Sequence, residues 1–152
     1  MLEIGQEAPD FDVEDESGNR VQLSQFRGHS GVVLMFYPLD FSPVCTDEHA
    51  CFVKSLGDFS KLNAEVLGLS VDSVWTHKAF AEKMGITYSL LADFHPRGEA
   101  AHKFGMYHAD KGITGRAIII IDKEGKIAWI KNYGFGEAPN TKEVAEALAK
   151  IG

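Results

Sequence analysis

From Val32 to Tyr37 the chain runs VVLMFY, bounded by Gly31 and Pro38. A run this short and this apolar predicts a strand buried on both faces, which requires other elements to cover both sides of a sheet. The chain restarts at Ser42-Pro43-Val44-Cys45. Ser before Pro is a helix-start signal, with Ser as N-cap and Pro at the first helical position. The helix is predicted from Pro43 to about Lys61. Its apolar residues Phe52, Val53, Leu56 and Phe59 share one face, and helical spacing puts Cys45 on it.

The remaining elements follow from the same signals. Phe11 to Val13 and Val21 to Leu23 flank EDESGN, which predicts an amino-terminal β-hairpin, and Ser24 to Gly28 reads as a loop or a single helical turn. Glu65 to Val71 is a strand that meets Asp72-Ser73, an N-cap for a helix from Val74 to Met84 closed by Gly85. Ser89 to Ala92 is a short strand, DFHPRG a loop, and Glu99 to Phe104 a short helix ending at Gly105. Arg116 to Asp122 (RAIIIID) is the second strongly apolar strand; Lys123-Glu124-Gly125 turns it into a strand from Lys126 to Lys131. After the loop GFGEAPN, Thr141 to Ile151 forms an amphipathic helix. Strand–helix–strand–helix followed by a hairpin and a helix predicts an α/β fold, a central mixed sheet flanked by helices. With 152 residues and no repeat or linker, a single domain over 1–152 is expected.

Several function classes are disfavoured. A net charge of −7 argues against nucleic acid or an anionic membrane as partner. No run approaches the roughly 18 apolar residues of a membrane span, and the start MLEIGQEAPDF has neither the basic nor the apolar part of an export signal. Two cysteines are too few for a disulfide framework, so both are expected to be reduced at rest in a cytoplasmic protein. His29, His49, His77, His95, His102 and His108 show no metal-binding spacing and are expected to be solvated or in loops, with no metal. Gly134-Phe135-Gly136 follows no phosphate-binding unit, so no nucleotide cofactor is expected. Trp75 and Trp129 read as core or interface residues.

The chemistry centres on Cys45. As about the third helical residue it lies among unpaired backbone N–H groups at the positive end of the helix dipole, which favours a thiolate. The terminus alone is not sufficient. Lowering a thiol pKa from about 8.5 to about 6 takes roughly 3.4 kcal/mol, whereas a helix terminus supplies about 0.3–1, at most about 2. Asp47 and Glu48 in the same turn oppose the shift, so a cation is required, and Arg116 is the candidate because it keeps its charge. Even then the thiolate fraction at pH 7 rises only about thirtyfold, and nucleophilicity falls with pKa at a slope near 0.4–0.5. The larger contribution to rate must come from stabilising a transition state.

Pro38, Ser42 and Cys45 together make P-x-x-x-S-x-x-C, and with the APDF start, YPLDFSPVC, DFHPRG and GRAIIIIDKEGKIAW the chain resembles the peroxiredoxin (AhpC/TSA) family over its whole length. It is similar to the AhpE-like branch, with some PrxQ/Bcp-like character. The resemblance implies a thioredoxin-like fold with an amino-terminal extension and a cofactor-free, thiol-dependent peroxidase acting on hydrogen peroxide and organic hydroperoxides. It implies Cys45 as the peroxidatic cysteine, oxidised to sulfenic acid. Ser42 is then the hydroxyl that contacts peroxide, Pro38 the shield over the site and Arg116 the guanidinium beside the thiolate. Glu48 orients Arg116 or the helix start, or else is a solvated first-turn residue. The implied partners are a thioredoxin-, glutaredoxin- or mycoredoxin-like reductant and a second copy in a homodimer. Ser42 stands where Thr is commoner in the family, so the pocket lacks one methyl.

Cys51 leaves two readings open. Six residues of helix carry it about 9 Å along the axis and roughly 120° around it, whereas a disulfide needs Cα atoms within about 7 Å. Cys51 therefore resolves Cys45 as an intramolecular disulfide only if the helix unwinds near Ser42. The family's PrxQ/Bcp type places such a cysteine five residues on rather than six. The alternatives are a one-cysteine peroxidase with an external thiol, or a non-enzymatic redox sensor.

Overall fold

The central apolar run forms β3 (Gly31–Phe36), an interior strand of a seven-stranded sheet in a computed structural model that describes residues 2–151. Parallel to β3 on one side lies β4 (Ala64–Ser70), itself parallel to β5 (Ser89–Ala92); antiparallel on the other lies β8 (Arg116–Ile121), followed by β9 (Ile127–Tyr133). The predicted hairpin, β1 (Asp12–Glu14) with β2 (Arg20–Gln22), extends the β5 edge, giving the order β2-β1-β5-β4-β3-β8-β9. The described residues also hold four α-helices, α1 (Pro43–Lys61), α2 (Val74–Met84), α3 (Glu99–Lys103) and α4 (Thr141–Ile151), and a single 3-10 turn at Leu23–Phe26. This is the mixed sheet flanked by helices that the element order predicts.

Strand alternation divides the core. Val32, Leu34 and Phe36 point with Leu67, Leu69, Ala117 and Ile119 toward Phe11, Leu23, α3 and Phe104. Val33, Met35, Ile118 and Ile120 point the other way, toward Phe52 and Phe59 of α1, Phe80 of α2 and Val144 of α4. Both faces of β3 are thus covered, as a continuous apolar run demands. Cys45 belongs to the second cluster, so α1 lies with its thiol against the sheet. The left-handed Gly85 (φ 67°) closes α2 as its sequence signal predicts.

Three local features depart from expectation. Tyr107–His108 (β6) and Ile113–Thr114 (β7) form a two-stranded ladder too short to leave a periodic signal. Strand β9 continues two residues beyond Lys131, to Tyr133, and a register shift sits opposite Ile120/Ile121. Trp75 is 77% exposed at the start of α2, outside the core, whereas Trp129 packs half-buried against the α1 side of the sheet.

Candidate active site

The sheet and α1 meet at the segment between β3 and the helix. Tyr37 and Pro38 are buried, Leu39 is exposed, Asp40 is buried again, and Phe41 takes a left-handed backbone (φ 68°) that a bulky residue adopts only when its surroundings enforce it. Ser42 then occupies the N-cap position with an extended backbone, and Pro43 is the first helical residue. The expectation that Ser42 caps the helix is corrected in one respect: its side chain accepts no cap hydrogen bond. The hydroxyl instead donates to the Leu39 carbonyl at 2.8 Å. The first bond closing α1 runs from Thr46 N–H to Ser42 O at 2.9 Å, so the N–H groups of Val44 and Cys45 precede it and point out of the helix end. Cys45 itself is fully buried.

Arg116 reaches this turn from across the sheet. As the first residue of β8 it shares a face with Ile118 and Ile120, the face that packs on Cys45. Its Nη1 donates to Glu48 Oε1 and its Nη2 to the Phe135 carbonyl at 2.9 Å, and the ion pair is almost completely buried. Glu48 lies three residues after Cys45, and side chains at that spacing stand on one helix face with Cβ atoms about 5–6 Å apart. Glu48 therefore ties the guanidinium to the helix that carries the thiol, three residues on from Cys45. Of the two readings of Glu48, the solvated residue is excluded and the Arg116 partner observed. Five N–H bonds leave a guanidinium, and two are engaged here.

Around Arg116, polar atoms remain unclaimed. Glu48 Oε2, Arg116 Nε and the Tyr133 hydroxyl are buried with no hydrogen-bond partner among the described residues. Tyr133 stands directly opposite Arg116 in the β8–β9 ladder, which brings their side chains to the same face. Buried polar groups are normally paired. A set containing both donors and acceptors fits a small molecule that donates and accepts hydrogen bonds.

Burial pushes the Glu48 carboxyl up to about 7, with the Arg116 charge and hydrogen bond holding it down against that. A carboxyl raised in the folded state contributes stability that is complete below its ordinary 4.5 and is lost as pH rises through about 7. At about 1.36 kcal/mol per unit, the gap between 4.5 and about 7 is worth roughly 3 kcal/mol. Denaturant titrations of Glu48→Gln and the unchanged protein are expected to show the variant gaining about that much in relative stability between pH 4.5 and 7. A flat difference across the window would place the Glu48 carboxyl in its ordinary range.

Two histidines are not where sequence spacing was taken to put them. His49 and His77 are fully buried, not solvated. His49 Nδ1 lies 2.5 Å from the Tyr88 hydroxyl, its ring edge-on to Tyr37, and burial lowers its pKa to about 3, so it stands neutral. His77 joins Asp40 and Tyr37 beneath the Pro38–Ser42 segment. Helical spacing contains the signal for both: Cys45, His49 and Phe52 recur at intervals of four and three, and Phe80 and Ala81 lie three and four residues after His77. Cys51, by contrast, is exposed as its position off the apolar stripe predicts, and both thiols are free on an unbroken helix.

A sequence model of the AhpC/TSA family matches residues 4–130. Alkyl hydroperoxide reductase E of Mycobacterium tuberculosis is 32% identical, over 99% of either chain. The chloroplastic 2-Cys peroxiredoxin BAS1 of Spinacia oleracea is 40% identical over 98% of this chain, which spans 60% of the length of that relative. The crystal structure of Enterococcus faecalis AhpC superimposes with a TM-score of 0.91 at 32% identity, covering 99% of this chain and 93% of its own.

Proposed function

The chain belongs to the AhpC/TSA family, with the thioredoxin-like fold of peroxiredoxins, and on that premise we propose that it is a thiol-dependent peroxidase that reduces hydrogen peroxide and organic hydroperoxides at Cys45. The observation that supports the reading is the buried Arg116–Glu48 pair, which joins the guanidinium to α1 three residues after the buried Cys45.

In this mechanism the Cys45 thiolate attacks the terminal peroxide oxygen. An S–O bond forms as the O–O bond breaks; the sulfur is oxidised to sulfenic acid, and the departing oxygen takes a proton and leaves as water or alcohol. Charge spreads along the sulfur–oxygen–oxygen line, and donors already aimed there act without reorganising. Arg116 has N–H groups to spare, and the Val44 and Cys45 N–H groups face the same helix end. Ser42 has its proton directed at Leu39, so its oxygen is left to accept the peroxide O–H. Pro38, buried at the end of β3, shields the site from bulk water.

Two routes return the sulfenic acid to thiol. Either Cys51 attacks it, releasing water and forming a disulfide that a thioredoxin-like donor reduces, or an external glutaredoxin- or mycoredoxin-like thiol does so directly. Because α1 is continuous and Cys51 faces solvent, the first route requires the early turns to unwind. The reading includes a homodimer and a reducing, cytoplasmic setting that supplies such donors.

A thiol count tests this. Fully reduced protein receives one equivalent of hydrogen peroxide for a few seconds, is quenched, and is titrated beside a non-reducing gel. Two thiols lost in a monomer band assign Cys51 as resolving; one lost assigns an external reductant. No loss removes the peroxidase reading.

A further inference from the structure

The mechanism above makes no use of a buried polar network that lies beneath the Pro38–Ser42 segment. The Tyr37 hydroxyl donates to Asp40 Oδ1 at 2.6 Å, and His77 Nδ1 stands 2.6 Å from Asp40 Oδ2, both side chains having no exposure. The Asp40 N–H donates to Asp72 Oδ2 at 2.8 Å, and Ser70 Oγ donates to the same oxygen at 2.5 Å. The remaining ring nitrogen, His77 Nε2, lies 3.0 Å from the Leu91 carbonyl. A carbonyl only accepts, so Nε2 bears a proton, and one further proton lies between Nδ1 and Asp40 Oδ2. Both ring nitrogens of His77 and both oxygens of Asp40 are thus engaged. Asp40, Asp72 and His77 place three ligand atoms within 4.8 Å of one another, but each is already engaged by a protein group, which is the arrangement of a closed network and not of a cation site.

A buried polar network is a poor source of net stability, since apolar residues of the same volume serve as well; its attested use is to single out one geometry. Here the geometry held is that of the catalytic segment. Asp40 sits between Pro38 and Ser42, next to the left-handed Phe41, and the network ties it to the end of β3, to α2 and to β5. The Ser42 hydroxyl takes its direction from the Leu39 carbonyl within the same segment. Released from His77, the segment is free to let Phe41 relax, turning Leu39, and with it Ser42, away from the helix end.

The geometry points to His77 and Asp40 as positioning residues of the peroxidase site, their buried hydrogen bond holding the Pro38–Ser42 segment in the form that receives peroxide. The inference rests on the peroxidase reading.

Its test compares two electrophiles at Cys45. Hydrogen peroxide requires the oriented site, whereas iodoacetamide requires only thiolate and access. Rates are measured for the unchanged protein and for His77→Gln, Asp40→Asn and Tyr37→Phe, alkylation being localised to Cys45 by tandem mass spectrometry. The first two variants are expected to lose roughly tenfold or more toward peroxide, as misplaced reacting groups do, while alkylation holds or quickens. Tyr37→Phe, which keeps the ring and deletes one donor, is expected to show a smaller loss of the same selectivity, and it decides the matter alone if His77 and Asp40 prove necessary for folding. Unchanged peroxide rates, or equal losses toward both reagents, would overturn the inference. An unchanged protein that reacts with peroxide no faster than an exposed thiol would instead remove the peroxidase reading, and the inference with it.

Discussion

Cys45→Ser is expected to eliminate rapid peroxide consumption and leave only the slow reaction of Cys51. Accessibility alone ranks the two cysteines the other way, because Cys51 is exposed and Cys45 is fully buried. What separates them is the helix end and the guanidinium, present at one position and absent at the other. A serine hydroxyl in the same place is far too weakly acidic to act as nucleophile without an adjacent base, and no oxygen nucleophile reproduces the S–O product. The substitution removes little volume but buries a hydroxyl among Val33, Met35 and Ile118, at about 1–3 kcal/mol if unpaired. Stopped-flow peroxide loss and a thermal melt read the two effects separately. Fast consumption in a folded variant would move the reacting group elsewhere.

Arg116→Met carries the second large effect and works at two levels. It deletes the donors assigned to the breaking O–O bond, and removing a preorganised donor of this kind typically lowers rate about 10²–10³-fold. It also leaves Glu48 buried without its partner, and breaking a buried ion pair from one side costs about 3–5 kcal/mol. The carboxyl then responds by holding its proton. The Phe135 carbonyl loses its donor as well, loosening the segment after β9. Arg116→Lys is expected to fall between: the charge returns, but as a single point that cannot bridge Glu48 and Phe135 together. Urea unfolding and the second-order rate with peroxide measure both. Wild-type reactivity in Arg116→Met with Cys45 intact would withdraw the role given to Arg116.

Signals within a few residues of one another were readable from the chain, and long-range partners were not. Ser42-Pro43 marks where α1 starts, and VVLMFY and RAIIIID mark the two strands that bracket the site, because each depends on local backbone preference or on burial of a continuous run. The direction of the Ser42 hydroxyl depends on a carbonyl in an irregular segment whose path is set by Asp72 and His77, far along the chain. Nothing near Asp40 announces those partners. The burial of His49 and His77 is legible in the chain, since both fall on apolar helix faces, whereas their lack of metal-ligand spacing says nothing about burial. Tyr133 lies just past the predicted end of β9 and so escaped notice as the neighbour of Arg116. Glu48 was visible as a first-turn acid, and its choice between solvent and Arg116 was fixed only by the register of β8 against β3.

That register bears on how the chain comes into being. Strands β3 and β8 lie side by side in the sheet, yet β4, α2 and β5 are all synthesised between them. Pairings between distant segments close late, because the intervening loop entropy must first be overcome. Until β8 docks, Cys45 lacks Arg116 and Glu48 lacks its counterion. A nascent or partly folded chain therefore presents an ordinary cysteine, and peroxide reactivity arises together with the completed sheet. Regain of rapid Cys45 oxidation during refolding would then report the docking of β8 rather than the formation of α1.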